Sequence, residues 1–115
     1  GYLAKRESEK FIFYKKISNL IRLEESGIVG YISKSIHPKA IVLYGSYFRG
    51  EDIEASDIDL FVISKARMNE FLNKFERILK RKIHVLTEEN FAKVGRRLRN
   101  EVMNGVVLQG YLENG

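Results

Sequence analysis

Two short apolar runs, Ala40-Ile-Val-Leu-Tyr44 and Ile58-Asp-Leu-Phe-Val-Ile63, constrain this chain more than any other feature. Each has the length and β-branched content of a strand buried in a sheet. The first leads directly into Gly45-Ser46. The second carries Asp59, with Asp57 just ahead of it. Residues two apart on a strand project to the same side, so the two carboxylates converge. Such a pair repels itself unless a cation lies between, and Mg²⁺ shares its oxygen ligands with substrate phosphates. Gly45 permits close backbone approach, and Ser46 adds a hydroxyl. A Gly-Ser turn that opens a helix thus presents N–H groups to an anion. The combination describes a site for a nucleoside triphosphate and its metal. A plain strand-to-helix turn capped by Ser46, with Asp59 facing solvent, is the simpler alternative. A carboxylate inside an apolar strand disfavours it.

Around these runs the periodicity supplies the other elements. Leu3 to Glu25 reads as a long helix, from Phe13, Tyr14, Ile17, Leu20 and Ile21 at three- and four-residue steps. Gly27 stops it. Ile28, Val29, Ile32 and Ile36 mark a second helix closed by His37-Pro38, because a residue before proline avoids the helical region. Ser46 to Gly50 is a brief helical turn, and Glu51 to Ser56 a polar loop. Met68, Phe71, Leu72, Phe75, Ile78 and Leu79 form an amphipathic stripe. Lys82 to Leu86 is a third strand. Thr87 is placed to cap a helix that buries Phe91, Val94, Leu98 and Val102. Val106 to Gln109 follows the Asn104-Gly105 turn as a final short strand. The expected class is α+β: a small mixed sheet with helices packed mainly on one face.

A chain of 115 residues suffices for one compact domain. Within it, residues 1–37 form N-terminal helices that pack on the core or link to an upstream domain, and residues 38–115 form the core. A hydrophobic content of 44% argues against disorder. The absence of cysteine excludes disulfides and thiolate metal sites, which suits a cytoplasmic protein. No apolar run is long enough for a membrane span. Gly1 is not a natural initiator, so the start looks like the cut end of a longer chain. The net charge of +5 comes with both signs interspersed, so nucleic acid is only a weak candidate partner. Lys93, Arg96 and Arg97 have the spacing of one helix face, either solvated or phosphate-contacting. The aromatics Phe11, Phe13 and Tyr14 spread around the first helix and suggest packing on a protein partner, a homodimer mate or an upstream domain.

Gly45-Ser46-x-x-Arg49-Gly50-Glu51 followed by Ser56-Asp57-Ile58-Asp59-Leu60 resembles the signature of the DNA polymerase beta-like nucleotidyltransferase superfamily, and most closely its minimal archaeal and bacterial group. The resemblance covers roughly residues 38–108. It implies the polymerase-beta-like fold, with Gly45 and Ser46 on the terminal phosphates and Asp57 and Asp59 on Mg²⁺ (or Mn²⁺). Arg49 either reaches a phosphate or pairs with Glu51. Active members carry a third carboxylate on a neighbouring strand. The matching place here holds His84, a poor Mg²⁺ ligand that is able to serve as a base. Glu88 or Glu89 is a fallback carboxylate. Two functions follow from the resemblance. One is transfer of a nucleoside monophosphate to a hydroxyl of a protein or other acceptor, with Asp57, Asp59 and His84 as the catalytic set. The other is a nucleotide-binding regulatory module with weak or no turnover, once fused to a DNA-binding winged helix.

Overall fold

The computed structural model describes residues 1–68 and 72–113. Its elements are α1 (Tyr2–Ser26), α2 (Ile28–Ile36), β1 (Ala40–Tyr44), α3 (Ser46–Arg49), β2 (Ile58–Ile63), α4 (Asn73–Leu79), β3 (Ile83–Glu88), α5 (Arg96–Met103) and β4 (Val106–Gly110). A 3-10 turn, Phe91–Lys93, precedes α5. The strands form one mixed sheet in the order β3-β2-β1-β4. β1 runs antiparallel to both β2 and β4, and β2 runs parallel to β3.

Strand alternation divides the core between the two faces of this sheet. Ile41 and Leu43 of β1 and Ile58, Leu60 and Val62 of β2 join Leu23, Ile28, Ile32, Tyr47, Phe75 and Leu79 on one face. Helices α1 to α4 supply that layer. The intervening residues Val42, Tyr44, Phe61 and Ile63 meet Phe91, Val94 and Val102 on the other. Most of the helical mass therefore covers one face, and α5 with the 3-10 turn covers part of the second. With both faces covered, every residue of β1 is buried. β2 is buried throughout except at Asp59, which shares its face with Phe61.

Several local expectations change. Thr87 lies inside β3, paired with Val62, and caps nothing. β-branched Thr extends the strand because Val62 offers it a ladder partner. The cap of the 3-10 turn is Asn90, whose side chain accepts from the Ala92 N–H at 3.0 Å. α4 begins at Asn73, not at Met68; Met68 and Leu72 still pack on the core, Ile78 is exposed, and Phe71 lies outside the described residues. Lys93, Arg96 and Arg97 do not share a helix face, because Val94 and Gly95 are extended between them. The Phe13, Tyr14, Ile17 and Ile21 side of α1 points away from the core, and Asn19 and Leu23 are the residues it buries.

The Glu51–Ser56 loop also hides a feature that its polar composition conceals. Asp52 is only 2% exposed. Asn19 Nδ2 donates to its Oδ1 at 2.8 Å, and Arg81 Nη2 donates to its Oδ2 at 3.1 Å. Lys15 Nζ lies 3.4 Å from Oδ1 and donates to the Asp52 carbonyl. Asn19 Nδ2 also donates to the Tyr47 carbonyl at 2.9 Å. This network ties α1, α3, the loop ahead of β2 and the entry to β3 into one body.

Candidate active site

The turn after β1 and the first half of β2 meet because the β1–β2 register sets Tyr44 opposite Asp59. Gly45 then passes directly over the Asp59 carboxylate. A Cβ at position 45 would lie 2.6 Å from Asp59 Oδ2, inside any tolerable contact. Gly45 also has φ +81°, a conformation that side chains resist. Two independent constraints thus demand glycine here. Gly45→Ala is accordingly expected to destabilise the fold by about 1–3 kcal/mol and to push Asp59 out of place. Urea unfolding measures the first effect, and loss of nucleotide-induced thermal stabilisation the second.

Gly45 itself occupies the N-cap position of α3, and Ser46 is its first residue, so the expected Ser cap shifts by one. The opening N–H groups of a helix have no intrahelical acceptor. Ser46 is half-buried, with its backbone at this opening. Arg49, at the end of the same turn, donates from Nε to Glu51 Oε1 at 3.1 Å. Of its two expected roles, the pairing with Glu51 is the one the structure contains.

β3 completes the wall. The parallel β2–β3 register pairs Asp59 with His84. His84 Nδ1 lies 3.6 Å from Asp59 Oδ1, and its ring is 57% exposed. Burial pushes the Asp59 carboxyl above its ordinary pKa, and the negative charges of Asp57 and Glu101 push the same way; His84 partly offsets them. Asp57 is exposed at the mouth of the wall, one residue before β2. Tyr44 is pushed up to about 12 by burial and by Asp59 and Glu101.

Glu101 is the group that sequence reasoning missed. It sits on α5 immediately before buried Val102, which packs with Tyr44 on this face of the sheet. Its only sequence signal was adjacency to a core position of the last helix. Glu88 and Glu89 are not substitutes for a third carboxylate. Glu88 pairs with Ile63 at the far end of β2, and both line a separate cleft of about 1030 Å³ there. None of Gly45, Ser46, Asp57, Asp59 and His84 lines that cleft.

The donor set suits a hard divalent cation. Asp57 and Asp59 offer carboxylate oxygens on one side of β2, where burial first, and then the charges of Asp57 and Glu101, raise the Asp59 pKa. Among the described residues no three His, Asp or Glu side chains are grouped to hold an ion by themselves. Two carboxylates supplemented by phosphate oxygens is the sharing that Mg²⁺ favours.

No curated protein matches the chain. The family model described as polymerase beta, nucleotidyltransferase, matches residues 26–110, which begin at the end of α1 and finish at the end of β4. This span contains every strand of the sheet and every residue of the wall, and the chain therefore belongs to the polymerase beta nucleotidyltransferase family.

Proposed function

We propose that this domain binds a nucleoside triphosphate with Mg²⁺ and transfers its nucleoside monophosphate to a hydroxyl. The observation that carries the proposal is the close approach of the Gly45 turn to the Asp59 carboxylate, which would bring phosphate-holding N–H groups and a metal-holding carboxylate together. Gly45 and Ser46 would hold the terminal phosphates through backbone N–H groups and the Ser46 hydroxyl. Asp57 and Asp59 would hold the cation, which neutralises phosphate charge when bound. In the transfer, the acceptor oxygen bonds to the α-phosphorus as the bond to the β-phosphate bridging oxygen breaks. Pyrophosphate departs with that electron pair. The acceptor proton needs a base, and the exposed His84 ring beside Asp59 is within the wall to take it.

A second reading rests on the same histidine. His84 stands opposite Asp59, where the family resemblance implies a third carboxylate. A neutral ring there lowers the charge available to the metal, and the domain would then bind nucleotide as a regulatory signal with little turnover. Transfer from α-labelled ATP, in Mg²⁺ and in Mn²⁺, separates the readings. If His84 is the base, His84→Ala lowers transfer by about 100-fold or more. If it silences the site, His84→Asp raises transfer above wild type. Wild-type activity that neither variant changes would remove His84 from both readings.

A further inference from the structure

We propose that α1 sets the nucleotide affinity of this domain, by gripping the far end of α3 and so fixing the Gly45-Ser46 turn at its near end. The inference rests on the nucleotide site proposed above, and Asn19 is its principal positioning residue. α3 is one turn long, Ser46–Arg49. A helix that short does not hold its own shape in water, because forming a first turn orders more backbone than its hydrogen bonds offset. Its two ends are about 6 Å apart. Whatever fixes the C-terminal end therefore also aims the N–H groups at the opening.

α1 does that fixing. Tyr47, Phe48 and Gly50 each meet it through a different kind of contact. Asn19 is only 5% exposed. Its Nδ2 donates to the Tyr47 carbonyl at 2.9 Å and to Asp52 Oδ1 at 2.8 Å, which uses both amide hydrogens. The Lys16 ammonium lies over the Phe48 ring, 4.1 Å from its centroid. Gly50 rests on the α1 backbone: a Cβ there would lie 2.5 Å from the Ile12 carbonyl oxygen and 3.0 Å from the Lys16 nitrogen. Lys15 donates to the Asp52 carbonyl just beyond. At its other end, α3 is set by Gly45 over Asp59. A shift of α1 is thus carried along α3 to the phosphate-facing N–H groups. The gripping residues, 12–19, lie outside the matched span 26–110, so this control is additional to the family core. Coupling of this kind is reciprocal: nucleotide acts on the seating of α1 as α1 acts on nucleotide affinity.

Asn19→Ala removes both donors. It should raise the Kd for Mg²⁺-ATP by at least about 10-fold, read by calorimetric titration of protein that circular dichroism shows to be folded. It should also move the Gly45 and Ser46 amide resonances before any nucleotide is added. Ile32→Ala loosens the same core from α2. That control should lower the Tm but leave the Kd within about 2-fold of wild type. A third reading needs no variant to fold: saturating Mg²⁺-ATP should shift the side-chain amide resonances of Asn19 in the wild type. Unmoved Asn19 signals at saturation, a wild-type Kd in Asn19→Ala, or an equal rise in Ile32→Ala would each overturn control by α1 while leaving the nucleotide site in place. A wild type that binds no Mg²⁺-ATP would overturn it together with the site on which it rests.

Discussion

Asp59→Asn is expected to abolish the Mg²⁺-dependent stabilisation of the protein by ATP and to lower any transfer by at least about 100-fold. The same substitution should raise the Tm of the nucleotide-free protein. The sign follows from the direction of the Asp59 shift. Its folded-state pKa is raised, chiefly by burial and then by Asp57 and Glu101. A carboxyl with a raised folded pKa favours the fold while protonated and loses that contribution as pH rises through the folded value. At neutral pH the ionised Asp59 therefore burdens the fold, and a neutral amide relieves it. Opposite changes in free and nucleotide-bound stability distinguish a ligand-binding carboxylate from a structural one. Paired thermal melts at neutral pH, with and without Mg²⁺-ATP, read both. A fall in the Tm of the free variant would contradict the burden assigned to Asp59.

Asp52→Ala is expected to cost about 3–5 kcal/mol, a larger stability loss than that of Gly45→Ala. Removing this carboxylate leaves Arg81 and Lys15 beside a buried space with no counter-charge. Burial alone would push the Asp52 pKa up, but hydrogen bonds from Asn19 and Arg81 and the Lys15 charge outweigh it and hold the carboxyl below its ordinary value. A depressed folded pKa contributes stability that is complete above the unfolded aspartate value. That contribution is lost as pH falls through the ordinary aspartate range and below it. Urea unfolding at neutral and acidic pH should show wild type losing stability on acidification, with the wild-type advantage over the variant shrinking in parallel. A pH-independent difference between the two would mean that the Asp52 charge is not what stabilises the network.

The sheet was legible because its strands announce themselves. β1 and β2 match the two apolar runs residue for residue, since strands buried on both faces need continuous apolar sequence. Asp59 was legible for the converse reason: a charge inside such a run has few structural uses. The convergence of Asp59 with His84 followed from fold resemblance, and the parallel register pairs them. What stayed hidden depends on long-range pairing. Asp52 looks like any loop carboxylate until Asn19 and Arg81, distant in sequence, close around it. Glu101 looks like a solvated helix residue until α5 packs over β1 beside Tyr44. On α1, period alone could not say which of two apolar stripes meets the core; the polar Asn19 does, because Asp52 and the Tyr47 carbonyl both require its amide.

The most direct test of the proposed nucleotide site is paramagnetic broadening by Mn²⁺ with ATP in the ¹H–¹⁵N spectrum of the protein. The ion should erase the amide signals of Gly45, Ser46, Asp57, Asp59 and His84. Those of Ser64, Glu89 and Lys93, in the cleft at the opposite end of the sheet, should persist. Broadening centred on that far cleft, with the Gly45 and Asp59 signals intact, would contradict the placement of metal and triphosphate at the β1–β2 wall.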